Sequence, residues 1–177
     1  MNSRRRQIYT ELLVIRSQRA DTQAFELLVE LWHRPLLGFA FNYLGRDCLA
    51  QDAVQETWMA AVKGLNKLEK PSMFVPWIFR ILANKCIDQL RKKQAQEKLL
   101  KDAAPSGHPP VKDGENEELS RAIGRLTNEQ RTLICLRFEQ GLETGQIAQI
   151  FGIAETTVRT RLHRTLNRLR EILENKK

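Results

Sequence analysis

Apolar residues recur at helical spacing along most of the chain, whereas the alternation typical of strands is hard to find. This pattern predicts long helices over residues 22–43, 48–65 and 73–100. Pro35 lies inside the first of them, where it predicts a kink or a break. A second set of helices is expected over residues 117–126, 128–139, 144–151 and 155–175, with Thr127 as an N-cap. The expected fold is therefore all-α.

Residues 103–116 separate the two sets of helices. This segment contains three prolines and two glycines, a composition that neither a helix nor a packed core tolerates well. We therefore expect two small helical domains, residues 1–102 and residues 117–177, joined by a flexible linker. Such domains are expected to move relative to each other.

The stretch from Ile147 to Arg170 has the organisation of a helix-turn-helix, in which a short apolar helix and a Gly152-Ile153 break precede a basic helix. The spacing of the apolar residues predicts that one face of the basic helix packs; this face comprises Val158, Leu162, Leu166 and Leu169. The opposite face is predicted to enter the major groove of DNA, and its residues are Thr157, Arg159, Thr160, His163 and Arg164. Arginine can read guanine and threonine can contact a base edge. An isolated basic face is more often simply solvated, but the preceding helix and turn favour DNA binding.

Two further helix faces combine residues that suit binding. The helix over residues 48–65 turns an acidic and amide patch outward, formed by Asp52, Gln55 and Glu56, which suits a basic protein surface. The next helix carries aromatic, cationic and amide side chains on one stripe, at Trp77, Arg80 and Asn84. That mixture suits unpaired bases, which offer a stacking face and a hydrogen-bonding edge. Either pattern alone is also typical of a solvated helix face.

The overall charge favours a polyanionic partner. The 177 residues include 29 Lys and Arg against 21 Asp and Glu, which gives a formal net charge of +8 and a sequence pI near 9.7. Counterion release would favour binding of such a chain to nucleic acid.

The chemistry of an enzyme is not evident in the sequence. Three cysteines, Cys48, Cys86 and Cys135, are widely spaced among helix-forming residues, and the three histidines are scattered. No metal-ligand spacing, nucleophile triad or phosphate-binding glycine loop is present, so we expect no catalysis and no cofactor. No apolar run reaches the length of a membrane span, and a cytoplasmic protein without membrane insertion is expected.

Four blocks in order carry a resemblance to a known family; they are residues 52–58 (DAVQETW), 74–84 (FVPWIFRILAN), 126–131 (LTNEQR) and 141–164. Together they resemble bacterial RNA polymerase sigma factors of the extracytoplasmic-function (ECF) type, in the sigma-70 family. The resemblance covers roughly residues 20–172 and leaves the arginine-rich start outside.

The resemblance implies partners and roles. In such sigma factors the segment matching Asp52, Gln55 and Glu56 binds the clamp of core RNA polymerase, and the flap region is a further expected contact. The melted −10 promoter element, with one base flipped, is held by the loop before Phe74 and by the helix residues matching Phe74, Trp77, Arg80 and Asn84. The −35 promoter element is read by the residues matching Thr157, Arg159, Thr160, His163 and Arg164. An anti-sigma factor is a further expected partner.

Two departures from the family pattern stand out. The loop before Phe74 reads Leu68-Glu69-Lys70-Pro71, where the family commonly has an aromatic, a basic residue and a glycine, so the resemblance does not extend to the flipped-base pocket. Glu143 stands at the usual Ser or Thr N-cap of the first helix of the helix-turn-helix, so Thr144 is expected to cap instead. Gly145 inside that helix costs about 1 kcal/mol against alanine.

Two other functions fit parts of the pattern. A stand-alone helix-turn-helix regulator would bind duplex operators as a homodimer, but would leave the patch at residues 52–56 and the stripe at residues 77–84 without a role. A metal-dependent nuclease could use Asp52, Glu56 and Asp88 as ligands, although Asp88 is predicted on a different helix from the other two.

Overall fold

The computed structural model describes residues 3–45, 47–99 and 117–174. This part of the chain contains helices and no strand, which confirms the all-α prediction. The helices are α1 (Ser3–Gln18), α2 (Thr22–Leu44), α3 (Asp47–Gly64), α4 (Phe74–Leu99), α5 (Glu117–Gly124), α6 (Asn128–Ile134), α7 (Thr144–Phe151) and α8 (Glu155–Glu174). Short 3₁₀ turns at Leu65–Lys67 and Pro71–Met73 connect α3 to α4, and a π-helical turn at Cys135–Glu139 extends α6.

Helix α2 runs through Pro35 without ending, so of the predicted kink or break, the break is wrong. Proline has no N–H, and the carbonyl four residues earlier, that of Leu31, therefore loses its usual helical donor. The guanidinium of Arg6 donates to this oxygen at 3.4 Å and lies 4.0 Å from the centroid of the Trp32 ring. A side chain from α1 thus replaces the hydrogen bond that the proline removes.

Helix α1, which no prediction covered, packs its inner face on α2 and on the α3–α4 connection. Leu13 and Val14 are buried, and the indole N–H of Trp32 donates to the Thr10 hydroxyl at 3.1 Å. At the end of α1 the amide of Gln18 donates to the carbonyl oxygens of Leu65 and Leu68, at 2.9 and 2.8 Å. The helix therefore holds the connection that precedes α4.

The core of the first four helices is aromatic and aliphatic. Phe79 of α4 packs edge-on against Phe39 and Trp32 of α2, with ring centroids 5.4 and 6.1 Å apart. Small residues of α3, including Ala53 and Val54, are fully buried and let that helix approach closely. Burial of these apolar faces stabilises helices that would be marginal alone.

Local capping organises the C-terminal helices. The hydroxyl of Thr127 accepts from the backbone N–H of Gln130, and the Gln130 side chain accepts from the N–H of Thr127, so the predicted N-cap is confirmed as a capping box. The buried guanidinium of Arg131 donates to the carbonyl oxygens of Gly124, the last residue of α5, and of Leu126, two residues further on. Arg131 therefore joins α5 to α6.

The two sets of helices pack together. Helix α6 lies on α2 and α7 lies on α4, and Leu133, Leu136 and Ile147 belong to the same buried cluster as the core of the first four helices. The side-chain amide of Asn128 donates to the carbonyl of Tyr43 at 2.9 Å across this interface. The predicted movement of the two domains relative to each other stays a prediction. The predicted linker at residues 103–116 lies outside the described residues.

Among the described residues, none of the helices combines the length and the apolar character needed to cross a membrane.

Candidate nucleic-acid interface

The helix-turn-helix predicted from the sequence is formed by α7 and α8. Helix α7 ends at Gly152, whose φ of 64° lies in the left-handed region that glycine adopts without strain. The N–H groups of Gly152 and Ile153 both donate to the carbonyl of Ala148 and close the turn. Helix α8 begins at Glu155, so three residues separate the two helices.

The packed face of α8 differs from the prediction at Leu166, which is 40% exposed. The buried residues are Val158, Leu162, Thr165 and Ile172. Their spacing alternates between four and three residues, up to the half-buried Leu169, and so follows the helical period. The predicted face contained two consecutive steps of four residues, from Val158 to Leu162 and then to Leu166. Such steps rotate away from the buried face, so Leu166 lies at its edge.

The face predicted to read DNA is exposed. Arg159, Thr160, His163 and Arg164 are exposed to solvent, and Thr157 is half-buried. The imidazole Nε2 of His163 lies 3.2 Å from the side-chain amide of Asn167. Asn167 is therefore a further polar group on this face, which its spacing of four residues from His163 could have indicated.

Glu155 joins the two helices of the helix-turn-helix. Its Oε1 accepts from the Thr144 hydroxyl and from the Arg159 guanidinium, both at 2.7 Å. These two donors hold the pKa of the Glu155 carboxyl below its ordinary value. The predicted N-cap at Thr144 is wrong, because Thr144 is the first residue of α7 and its hydroxyl serves Glu155, while Glu143 is the N-cap. The N–H of Glu143 donates to the side chain of Gln146 at 2.9 Å.

Three of the four residues predicted to hold the −10 element form the stripe on α4. Arg80 and Asn84 are exposed, and Trp77 is half-buried. A Cβ at Gly64 would lie 3.1 Å from the Trp77 ring, so the glycine at the end of α3 makes room for the indole. Phe74 is fully buried and cannot contact DNA. Its ring lies 6.0 Å from that of Trp77, which it supports from within the core.

The predicted patch on α3 is also rearranged. Asp52 and Gln55 are exposed, but the carboxylate of Glu56 turns toward α4, where it pairs with Lys85 at 3.0 Å and accepts from Gln89 at 3.4 Å. Toward the C-terminal end of α3, the exposed surface also includes apolar residues, with Met59 and Val62 exposed by 56% and 60%. They belong to an open groove between α2 and α3, lined by Val29, His33, Leu37, Gln51, Gln55, Trp58, Met59 and Val62.

Sequence reasoning missed this groove. Neither Met59 nor Val62 was among the candidate binding residues. The sequence did carry a signal for the groove, because Met59 and Val62 are apolar residues outside the buried stripe of α3. Within the described residues, no cluster of three or more His, Cys, Asp or Glu side chains could hold a metal ion.

An all-α fold with a helix-turn-helix and an exposed basic face defines a DNA-binding protein. Two family models match the chain, sigma-70 region 2 over residues 28–96 and sigma-70 region 4 over residues 116–169. The chain is 31% identical over 186 residues to an ECF RNA polymerase sigma-E factor from Haemophilus influenzae, with 96% of each chain covered. It is 30% identical over 154 residues to the ECF RNA polymerase sigma factor SigM from Mycobacterium tuberculosis, covering 86% of this chain and 79% of that protein.

Solved structures share the arrangement. The sigma factor RpoE in complex with the anti-sigma factor NepR from Bartonella quintana matches with a TM-score of 0.73 and 27% identity, covering 86% of this chain and 98% of that one. CnrH, solved with the cytosolic domain of CnrY, has the same fold, with a TM-score of 0.66 over 96% of this chain. The chain belongs to the ECF family of RNA polymerase sigma factors, within the sigma-70 family. Its function is to direct RNA polymerase to promoters, and the stand-alone regulator is not favoured.

Proposed function

We propose that this sigma factor uses three separate surfaces: the α2–α3 groove for core polymerase, the α4 stripe for the melted −10 element, and the outer face of α8 for the −35 element. One observation carries the proposal. Exposed Arg159, Thr160 and Arg164 lie on a helix-turn-helix, whereas exposed Arg80 and Asn84 lie on another helix of the same chain. Two readers on one chain suit two promoter elements.

The polymerase contact centres on Asp52, Gln55 and the apolar residues Met59 and Val62. A groove with an exposed apolar floor and a carboxylate at its rim suits a protein helix with an apolar seam and basic flanks. Glu56 borders this contact, because its carboxylate stays partly exposed while it pairs with Lys85. The pair also links α3 to α4, between the polymerase surface and the DNA surface.

Melting is proposed to be the capture of unpaired bases rather than a catalytic step. Trp77 offers a ring for stacking, while Arg80 and Asn84 offer hydrogen-bond donors and an acceptor beside it. Phe74 packs near the indole from the core, and Gly64 leaves room for it. Because an unpaired base can stack only after it leaves the duplex, binding on α4 favours the open form of the DNA. The proposed site of action is the cytoplasm, where the polymerase works.

The packed arrangement of the two sets of helices must open before both elements are bound. The −10 and −35 elements lie about 85 Å apart along B-form DNA, at roughly 3.4 Å per base pair. A compact chain of this length has a diameter of about 40 Å. Residues 100–116 would reach at most roughly 60 Å if fully extended, which is enough to bridge two separated domains. We therefore propose that the packed arrangement is the form of the free protein.

Binding to core polymerase is expected to increase the distance between α1 and α8. Fluorescent labels would be attached at Arg5→Cys and Arg170→Cys in a Cys48→Ser background; Cys86 and Cys135 stay unlabelled because burial raises the pKa of each thiol to about 12. Energy transfer should be high in the free protein and fall sharply when core polymerase is added. Unchanged transfer in an active holoenzyme would contradict the opening.

Anti-sigma binding is proposed by analogy with the solved relative that carries NepR. An anti-sigma factor that stabilises the packed arrangement would prevent the domains from separating, and so would act without covering every DNA contact. With the energy-transfer pair described above, such a partner should prevent the fall in transfer that core polymerase causes.

The proposed function is tested by transcription in vitro with purified core polymerase across a library of promoter sequences. The protein is expected to direct initiation from a subset that shares two elements with a defined spacing. Folded protein that directs no initiation would refute the proposal. A homodimer that binds palindromic duplex DNA without polymerase would support the stand-alone regulator instead.

A further inference from the structure

A single carboxylate connects the two helices of the helix-turn-helix to one of the proposed reading residues. Glu155 is the first residue of α8, and its Oε1 accepts from Thr144 of α7 and from Arg159, one turn further along α8. We propose that Glu155 is a positioning residue, which holds Arg159 in the orientation in which it reads the −35 element. The inference rests on the proposed function of α8.

The second anchor makes this pair different from an ordinary surface ion pair. A Glu and an Arg four residues apart on an exposed helix face restrain each other only weakly, because both side chains stay mobile. Here Thr144 donates to the same oxygen from the neighbouring helix, so the carboxylate is held from two sides. Arg159 uses one terminal nitrogen for this contact and keeps its other donors for DNA.

Gly145 lies beside Glu155. A Cβ at this position would lie 3.4 Å from Oε2 of Glu155, in ordinary van der Waals contact with it. The glycine that is unfavourable for α7 therefore borders the carboxylate but is not required by it. The start of α7 departs from an ideal helix start at two positions, with Glu143 as the N-cap and Gly145 in the first turn. Between them, the Thr144 hydroxyl donates to Glu155.

The charge of Glu155 gives the proposal a distinctive signature. A carboxylate at the start of α8 repels DNA phosphates, so its removal should strengthen binding that does not depend on sequence. Loss of an ordered Arg159 should at the same time weaken discrimination between bases. If Glu155 only stabilised the fold, its removal would weaken both the sequence-independent binding and the discrimination between bases.

The experiment uses holoenzyme assembled from the full chain and core polymerase, with a promoter library in which the −35 element is randomised. Transcript sequencing gives the base preference at each position. Glu155→Ala is compared with Glu171→Ala, a matched control that removes the same charge from α8 where it pairs with Arg168 at 3.1 Å. Glu155→Ala is expected to reduce the preference at one position by roughly tenfold, and Glu171→Ala to leave it unchanged.

Three further variants separate positioning from stability. Glu155→Gln keeps a side-chain oxygen for Thr144 and Arg159 and should retain part of the preference. Thr144→Val removes the second anchor and should reduce preference at the same position. In an Arg159→Ala background, Glu155→Ala should have no further effect there, because the residue that it positions is absent.

Opposite results would overturn the inference. Equal preferences for Glu155→Ala and Glu171→Ala would do so, as would a loss of preference that persists in the Arg159→Ala background. If Glu155→Ala lowers the thermal midpoint of unfolding, the base preferences of the Glu155→Gln and Thr144→Val variants test the positioning role instead. A full preference in Thr144→Val would contradict it. Wild-type holoenzyme without any preference in the −35 element would instead refute the proposed reading role of α8.

Discussion

Replacing Arg159, Thr160 and Arg164 together by alanine is expected to reduce transcription from a promoter with an intact −35 element by a hundredfold or more. Each lost base contact costs on the order of 1 to 3 kcal/mol, and roughly 1.4 kcal/mol corresponds to a factor of ten. All three side chains are exposed, so their removal leaves the core of α8 intact. The measurement is the amount of transcript produced by the reconstituted holoenzyme.

A charge-matched variant separates base reading from general attraction to DNA. Arg168→Ala with Arg170→Ala removes the same two positive charges from exposed positions on the same helix, beyond the proposed reading face. This pair should weaken transcription modestly, and its effect should shrink at high salt. If the control pair reduces transcription as strongly as the triple variant, α8 does not read bases.

Locking the two sets of helices together is expected to abolish transcription reversibly. The Asn42 side chain of α2 interacts with the Cys135 thiol of the C-terminal set. A cysteine at position 42 is therefore the candidate partner for a disulfide across the interface, which forms if the two Cβ atoms can approach to about 4 Å. Oxidised Asn42→Cys protein, in a Cys48→Ser background, should bind promoters with at most one of its two DNA surfaces. Reduction should restore full transcription.

The control for the lock is Asn42→Ser, treated with the same oxidant. It should remain active, because the Cys135 thiol then has no cysteine at position 42 with which to form a disulfide. Mass spectrometry establishes that the disulfide has formed. Oxidised protein that carries the bond and transcribes like the reduced form would show that opening is unnecessary.

The helices themselves were largely predictable from local signals. Helices α2, α3 and α4 begin and end within a few residues of the expected bounds, because their apolar positions follow the helical period. The helix-turn-helix was recognisable because Gly152 supplies a left-handed residue between two amphipathic segments. The capping box at Thr127 was equally local.

Errors arose where a distant side chain decides the outcome. The break at Pro35 does not occur because Arg6 of α1 donates to the carbonyl that the proline leaves free. Glu56 looked like a surface carboxylate, yet Lys85 lies opposite it on α4. The family resemblance placed Phe74 among the residues that hold the −10 element, yet its ring is buried in the core.

The sequence by itself determined the all-α fold, the helix-turn-helix and the membership of the sigma-70 family, because helical periodicity, turn residues and motif spacing are properties of neighbouring positions. Only the tertiary structure decided which charged groups are already paired, which apolar residues form the α2–α3 groove, and how Glu155 links Thr144 to Arg159. The contacts of α6 with α2 and of α7 with α4 likewise could not be predicted from the sequence. The physical reason is that these features depend on side chains far apart in the chain, whose distances are set by packing and not by local propensity.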